Sequence, residues 1–363
     1  MFEDIASAIA QQDYTTAAQL IDTCKQEYPH HPWLTFYTAQ VDAAQGNLEI
    51  AESAYQKLLQ ECSNRKLLSQ TREALRHLET AQTERGKDAI TEALAQPGGQ
   101  DPAVFILSAI SATEKQQAAP ILAKTFQLDP YNARLQLPSR GWRLFRLGAM
   151  GELLYYSKVL QNRNIPCFCT PLNALDTLNV FQVQYLRSEG NQVSARCSND
   201  QGQEGTLTFQ WSEVQQQVQG RLPIFEEVVT TDARRKLKRK TETLDYVQFC
   251  DLHLLHRRTI LRLCDQQYQF QQNAPLSQTI QKGETLRRNW LQLLDYLEET
   301  MPTIQRWNDF TSFGESAIAF PQMLQRLTSH IDLKRRYETT WDEAFQLYSG
   351  LVFFRGESDL KQP

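Results

Sequence analysis

Phe181-Gln182-Val183-Gln184-Tyr185 alternates large apolar with polar side chains, the period of a strand with one face turned inward. Glu189-Gly190-Asn191 supplies a turn, and Val193, Ala195 and Cys197 repeat the alternation. A loop from Asn199 to Gly205 leads to a third copy with Leu207, Phe209 and Trp211. The three segments predict a meander with Phe181, Val183 and Tyr185 on its buried face. Upstream, Trp142 to Leu147 reads as a strand, Gly148 and Gly151 break it, and Glu152 to Asn162 has helical apolar spacing. Ile165 to Thr170 is a further short strand. Downstream, 223–245 reads as a charged connector, Tyr246 to His253 and Thr259 to Cys264 as strands, and Tyr268 to Phe270 as a returning segment. Periodicity leaves a helix open for 246–256. An α+β domain is therefore expected over 140–275, with a mostly antiparallel sheet. Amphipathic helices over 280–355 are expected to cover it: Thr285 to Leu297, then Ala344 to Phe353 behind a capping box at Thr340-Trp341-Asp342-Glu343.

The 363 residues suit two or three domains, and 41% hydrophobic content supplies real cores. A net charge of −4 argues against a nucleic-acid surface spread over the whole molecule. Glutamine is frequent, about 40 residues, but scattered, which reads as neutral surface. Composition excludes a collagen, a disulfide-rich mini-protein and a membrane transporter. Seven loosely spaced cysteines read as reduced thiols. The start, Met1-Phe2-Glu3-Asp4, has no basic and apolar leader pattern, and Ala103 to Ala112 is about half of what a bilayer span needs. A cytoplasmic location without a membrane span is the expectation.

Residues 1–135 carry helical periodicity. Asp13, Tyr14, Ala17, Ile21, Cys24 and Pro29 recur about 34 residues later as Gly46, Asn47, Ala51, Tyr55 and Leu58. A third trace runs through Glu114, Ala118, Leu122 and Phe126 to Asp129-Pro130. Gly46 and Asn47 make the turn, Ala51 lets two helices approach, and Tyr55 and Leu58 fill the seam. On these residues the segment resembles a tetratricopeptide-repeat array; a plain antiparallel bundle is the alternative. The match is poor at Thr38 and Asp42, and Arg85 to Ala89 is offset from the period. The resemblance implies a concave peptide-binding groove, onto which Trp33, Phe36 and Gln40 would face. The glutamine-rich texture and the 246–270 segment are similar to cyanobacterial repeat proteins, which implies a partner in photosynthetic complex assembly. The fold class expected for the whole is α+β multidomain: repeat array, central domain, covering helices.

Each sign of chemistry has a structural counterpart. Gly148 and Gly151 between strand and helix, with Arg143 and Arg146, suit an anion at a helix N-terminus, but the third dinucleotide-fold glycine and a Walker lysine are missing, and Glu152 repels anions. Cys167, Cys169 and Cys197 lack the spacing of a closed zinc site, and Cys250, His253 and His256 raise the same question. Asp251 and His253 share one strand face, as a base pair or as a solvated face. Gly314-Glu315-Ser316 begins like a nucleophile elbow, but Ile318 replaces its second glycine. No catalytic residue, metal or cofactor is assigned. Arg234, Arg235, Lys236, Lys238, Arg239 and Lys240 put six basic residues in seven, a docking patch for an acidic protein or RNA, or a solvated turn. No aromatic is interleaved there, which weakens single-strand binding. The expectation is a non-enzymatic adaptor or assembly factor for a protein partner. An RNA-binding regulator, or a ligand sensor or metal-dependent hydrolase in the α+β domain, are the alternatives.

Overall fold

The computed structural model describes residues 2–29, 31–231, 237–272, 285–337 and 339–360, with backbone alone at 230, 231, 237, 238, 359 and 360. The chain divides into two units, Met1–Ala93 and Leu94–Pro363.

The first unit is helical: α1 Phe2–Ala10, α2 Tyr14–Glu27, α3 Pro32–Ala44, α4 Leu48–Glu61 and α5 Arg65–Ala95, whose last residues pass into the second unit. Asp13 caps α2 by accepting from the Thr16 amide at 3.0 Å, and Gly46 takes the positive φ that turns α3 into α4. Ala51, Tyr55 and Leu58 are buried against Phe36 and Ala39, while Ala17, Ile21 and Cys24 form a neighbouring core with Ile5 and Leu34. Around Gly86 there is no turn. A single 31-residue helix runs through it, because one glycine costs only about 1 kcal/mol in a run of strong helix formers.

The helical stretch does not extend to 135. Residues 102–108 form a strand, and the third repeat trace belongs to helices that pack on it. Ala103 to Leu107 is apolar throughout and buried on both faces, a pattern that periodicity cannot tell from a buried helix. In the second unit, β1 Pro102–Ser108 lies between β2 Trp142–Ala149 and β3 Cys167–Pro171, all antiparallel. Three helices cover one side of this sheet: α6 Ala112–Phe126, α7 Pro130–Gln136 and α8 Met150–Gln161.

The larger sheet has seven strands, in the spatial order β10-β7-β8-β9-β4-β5-β6. They are β4 Asn179–Glu189, β5 Gln192–Ser198, β6 Glu204–Gln210, β7 Gln216–Thr231, β8 Leu237–Leu254, β9 Thr259–Cys264 and β10 Gln305–Trp307. All pairs are antiparallel except β4 with β9 and β10 with β7. The meander is β4 to β6, with Val193, Ala195, Cys197 and Phe209 inward. A bulge in β4 between Val183 and Tyr185 brings Leu186 inward, while Tyr185 is half-buried under Arg187.

The charged connector is instead a pair of strands. β7 and β8 pair from Gln216 opposite His253 to Thr231 opposite Leu237, with one bulge at Leu244 where the register shifts between Ile224 and Phe225. Among the described residues, beyond the buried pair Leu222 and Val247 they bond only to each other, a ribbon roughly 30 Å long at about 3.3 Å per residue. Val228 to Thr231, Thr241 and Thr243 are β-branched, and the charges concealed that preference. Tyr268 to Phe270 is not a strand; both rings are buried beside a short 3-10 turn at Phe270–Gln272.

Four helices complete the unit among the described residues. They are α9 Leu286–Thr300, α10 Phe310–Ala317, α11 Pro321–Leu324 and α12 Trp341–Leu360. α9 is capped by Thr285 and buries Trp290, Leu293 and Leu297 on one side of the large sheet. α12 is not a cover. It is buried all round, with Phe345, Tyr348, Leu351 and Val352 in a core that takes Val104 and Leu144 from the small sheet and Val218 and Phe249 from the large one. A Cβ on Gly350 would collide with Leu175, and one on Gly220 of β7 with Phe345, so both glycines permit the close approach.

Candidate functional site

Side by side in the large sheet, Asp251 of β8 and Arg262 of β9 are direct cross-strand partners, and both are fully buried. Arg262 meets the carboxylate with two bonds, Nε to Oδ1 at 2.9 Å and Nη2 to Oδ2 at 2.7 Å. Nη2 also donates to Gln346 Oε1 at 2.9 Å, and Nη1 to the carbonyls of Ser329 and His330 at 2.7 and 3.5 Å. Ser349 Oγ donates to Asp251 Oδ2 at 2.6 Å and lies 3.0 Å from His253 Nε2. The single hydroxyl proton goes to the carboxylate, so Nε2 carries the proton donated to Oγ. Gln216 lies 3.3 Å from Nδ1, and a neutral ring requires it to turn its NH₂ there. Burial pushes the His253 ring down to about 4; Asp251 pulls it up and Arg262 pushes it further down.

A serine, a histidine and an aspartate thus meet, but not as a catalytic triad. The carboxylate bonds the hydroxyl rather than the imidazole, and all three side chains are sealed from solvent. The shared strand face of Asp251 and His253 is real, but it is neither solvated nor open to substrate. Cys250 points the other way into the α9-side core, with its thiol pushed up to about 12 by burial.

Above Arg262 opens a cleft of about 600 Å³. Its walls are the β4 strand at Gln182 and Gln184, the β5–β6 turn at Asn199 and Asp200, Gln267, and the segment Thr328 to Asp332. Asn199 Oδ1 accepts from the amides of Gln201 and Gln203 at 3.1 and 2.9 Å, fixing the turn that carries Asp200. Asp200 Oδ2 stands 2.5 Å from His330 Nδ1. His330 has φ +53°, a left-handed backbone uncommon for this residue type, held by Arg262 and Gln182 on its carbonyl. Burial lowers the His330 pKa; Asp200 works against that shift and Arg262 adds to it.

The residues expected from sequence lie elsewhere. At the proposed anion loop, Gly151 N–H donates to Gly99 O and Met150 N–H to Asp101 O, both at 2.9 Å, so these amides are engaged. Arg143 bonds Gln136 at 3.0 Å, and Arg146 lies over the Phe126 and Tyr156 rings and 3.8 Å from Glu152. Gly148 packs against Leu153. Phe36 is core, edge-on to Trp33; Trp33 and Gln40 are half-buried. Cys167 and Cys169 are on the small sheet and Cys197 on the large one, all with pKa raised by burial. Among the described residues no group of three His, Cys, Asp or Glu could hold a metal. Ser316 is buried in α10, donating to Phe313 O. Arg234, Arg235, Lys236 and the Lys238 side chain lie outside the described residues. Arg239 and Lys240 are exposed on the ribbon, 3.6 Å from Glu227 and 3.2 Å from Glu242.

Sequence reasoning passed over Arg262, Asp200 and His330. Arg262 carried a signal: a lone charge inside the apolar run Thr259 to Cys264 demands a buried partner. His330, 130 residues from Asp200, carried none. Compared with known proteins, the chain matches no family model, no curated protein and no solved structure.

Proposed function

We propose that the protein is a non-enzymatic adaptor that docks a protein partner along the β7–β8 ribbon. The observation that carries this reading is the ribbon itself. It stands beyond the sheet with no second layer over it among the described residues, yet exposes Val229 at 62%, Leu244 at 56% and Tyr246 at 48%. Apolar side chains on an isolated two-stranded arm gain nothing for the fold and suit a partner surface. The acidic residues Glu226, Glu227, Glu242 and Asp245 offset the basic run along the same arm, which favours a protein over a polyanion. The helical unit, in its tetratricopeptide-like reading, adds a second contact around Trp33 and Gln40. No helix among the described residues is long and apolar enough to cross a membrane.

Replacing 225–244 by an Asn-Gly turn, at the register that pairs Ile224 with Asp245, tests this directly. The tagged full chain and the shortened chain are each purified from the native cell, with and without nuclease. A protein retained by the full chain, resistant to nuclease and lost from the shortened chain is expected. Identical partners on both chains would remove the ribbon from the interface; retention that nuclease abolishes would establish the RNA alternative.

A further inference from the structure

We propose that the cleft around His330 and Asp200 binds a cationic amine, an ammonium or guanidinium carried on a free polyamine or on a peptide side chain. Its walls carry two carboxylates, Asp200 and Asp332, and no lysine or arginine. Arg262, beneath Ser329 and His330, is fully buried and engaged by Asp251, Gln346 and two carbonyls, and Arg196 on β5 is ion-paired with Glu204. Each guanidinium is thus paired with a carboxylate, and an anion in the cleft would face Asp200 and Asp332.

The neutral groups point the same way. Gln182 donates its NH₂ to His330 O, Gln267 to Asp332 O, and Gln184 to Glu204 Oε1. Each amide is thus oriented by a protein acceptor and keeps its carbonyl oxygen as an acceptor. Asp200 takes the Nδ1 side of His330, so the neutral ring presents Nε2 as a further acceptor. An ammonium has three donors and no acceptor, a guanidinium five donors and none, and both complement such a lining. A volume of about 600 Å³ falls within the usual range for small-ligand sites. This inference does not depend on the ribbon as a docking arm.

The test is calorimetric titration of the full chain with spermidine and, separately, with the blocked peptide acetyl-Gly-Lys-Gly-amide. The norleucine analogue of that peptide serves as the neutral control. Saturable one-to-one binding is expected for at least one amine probe, with none for the norleucine peptide. Asp332→Asn should weaken it at least tenfold, and Asp22→Asn, on the helical unit, should leave it unchanged. Asp332 makes no side-chain hydrogen bond in the structure, so its replacement leaves the fold intact, which a melting curve verifies. Asp200→Asn should weaken binding as well, with His330 freed. Binding of spermidine alone identifies a free amine as the ligand; binding of the peptide alone identifies a lysine on a partner. No binding to either probe, or affinity within twofold of the parent in both Asp332→Asn and Asp200→Asn, would overturn the proposal.

Discussion

The two sides of β8 and β9 are built from the same two strands and differ in polarity. Toward α9 they present Cys250, Leu252, Leu254, Leu261 and Leu263, a dry apolar surface. Toward α12 they set Asp251, His253 and Arg262, charged or polar and equally buried, among the apolar Phe249, Ile260 and Cys264. The difference follows from the covering helix. α9 is amphipathic and leaves its polar face in water, so the layer beneath needs only apolar contact. α12 has no water-facing side along most of its length, so Gln346 and Ser349 must find partners inside, and the strand residues opposite supply them. One face is held by area alone, the other by area together with a buried hydrogen-bonded ion pair. The second kind fails abruptly when one member is removed.

The largest expected effect is on the polar side. Arg262→Met leaves Asp251 buried without its counter-charge and releases the carbonyls of Ser329 and His330. A loss of about 3–5 kcal/mol in urea denaturation is expected. Pairing it with Asp251→Leu should recover a good part of that loss, because the isolated charge goes with it. A double variant no more stable than Arg262→Met alone would show that the pair contributes more than mutual compensation.

Next comes pH. The His253 pKa is depressed to about 4, so the folded state refuses a proton that the unfolded chain accepts near 6.5. That contribution is complete above about 6.5 and is lost as pH falls toward about 4, on the order of 3 kcal/mol. Asp265 opposes it. Burial raises that carboxyl to about 6, so the folded state gains stability as pH falls from about 6 toward 3.8. Denaturation measured from pH 7 to pH 4 should show a loss smaller than His253 alone implies. Asp265→Asn should steepen the profile and His253→Gln should make it shallower, His330, whose pKa burial also lowers, keeping its share. A profile unchanged by both substitutions would refute these assignments.

On the dry side, effects are graded. Val193→Ala removes two buried methyl groups and should cost roughly 2 kcal/mol, with no change in pH dependence. Smallest of all, Val229→Gln or Leu244→Gln on the ribbon should shift stability by no more than about 0.5 kcal/mol while reducing partner recovery. A ribbon substitution that destabilised the fold as much as Val193→Ala would mean that the arm packs on something.

Much of the architecture was legible along the chain, because it depends on local spacing. Ala17, Ala51, Tyr55 and Leu58 announce packed helix pairs, and Val193, Ala195 and Cys197 a half-buried strand, with no long-range information. Reading failed where two patterns coincide. Ala103 to Leu107 serves a buried strand as well as a helix, and the charges around Glu226, Glu227, Arg239, Lys240 and Glu242 conceal β-branched strands.

The sequence by itself determined the helix pairs of the first unit, the strands of the β4–β6 meander and that Asp251 and His253 share a face, since a strand's alternation needs only its own residues. Tertiary structure alone decided that this face is sealed, because α12 arrives from about 90 residues later to close it. It alone decided the cleft too. Asp200, Arg262 and His330 lie on a turn, a strand and a loop, and no spacing along the chain records a meeting that three separate backbone paths produce.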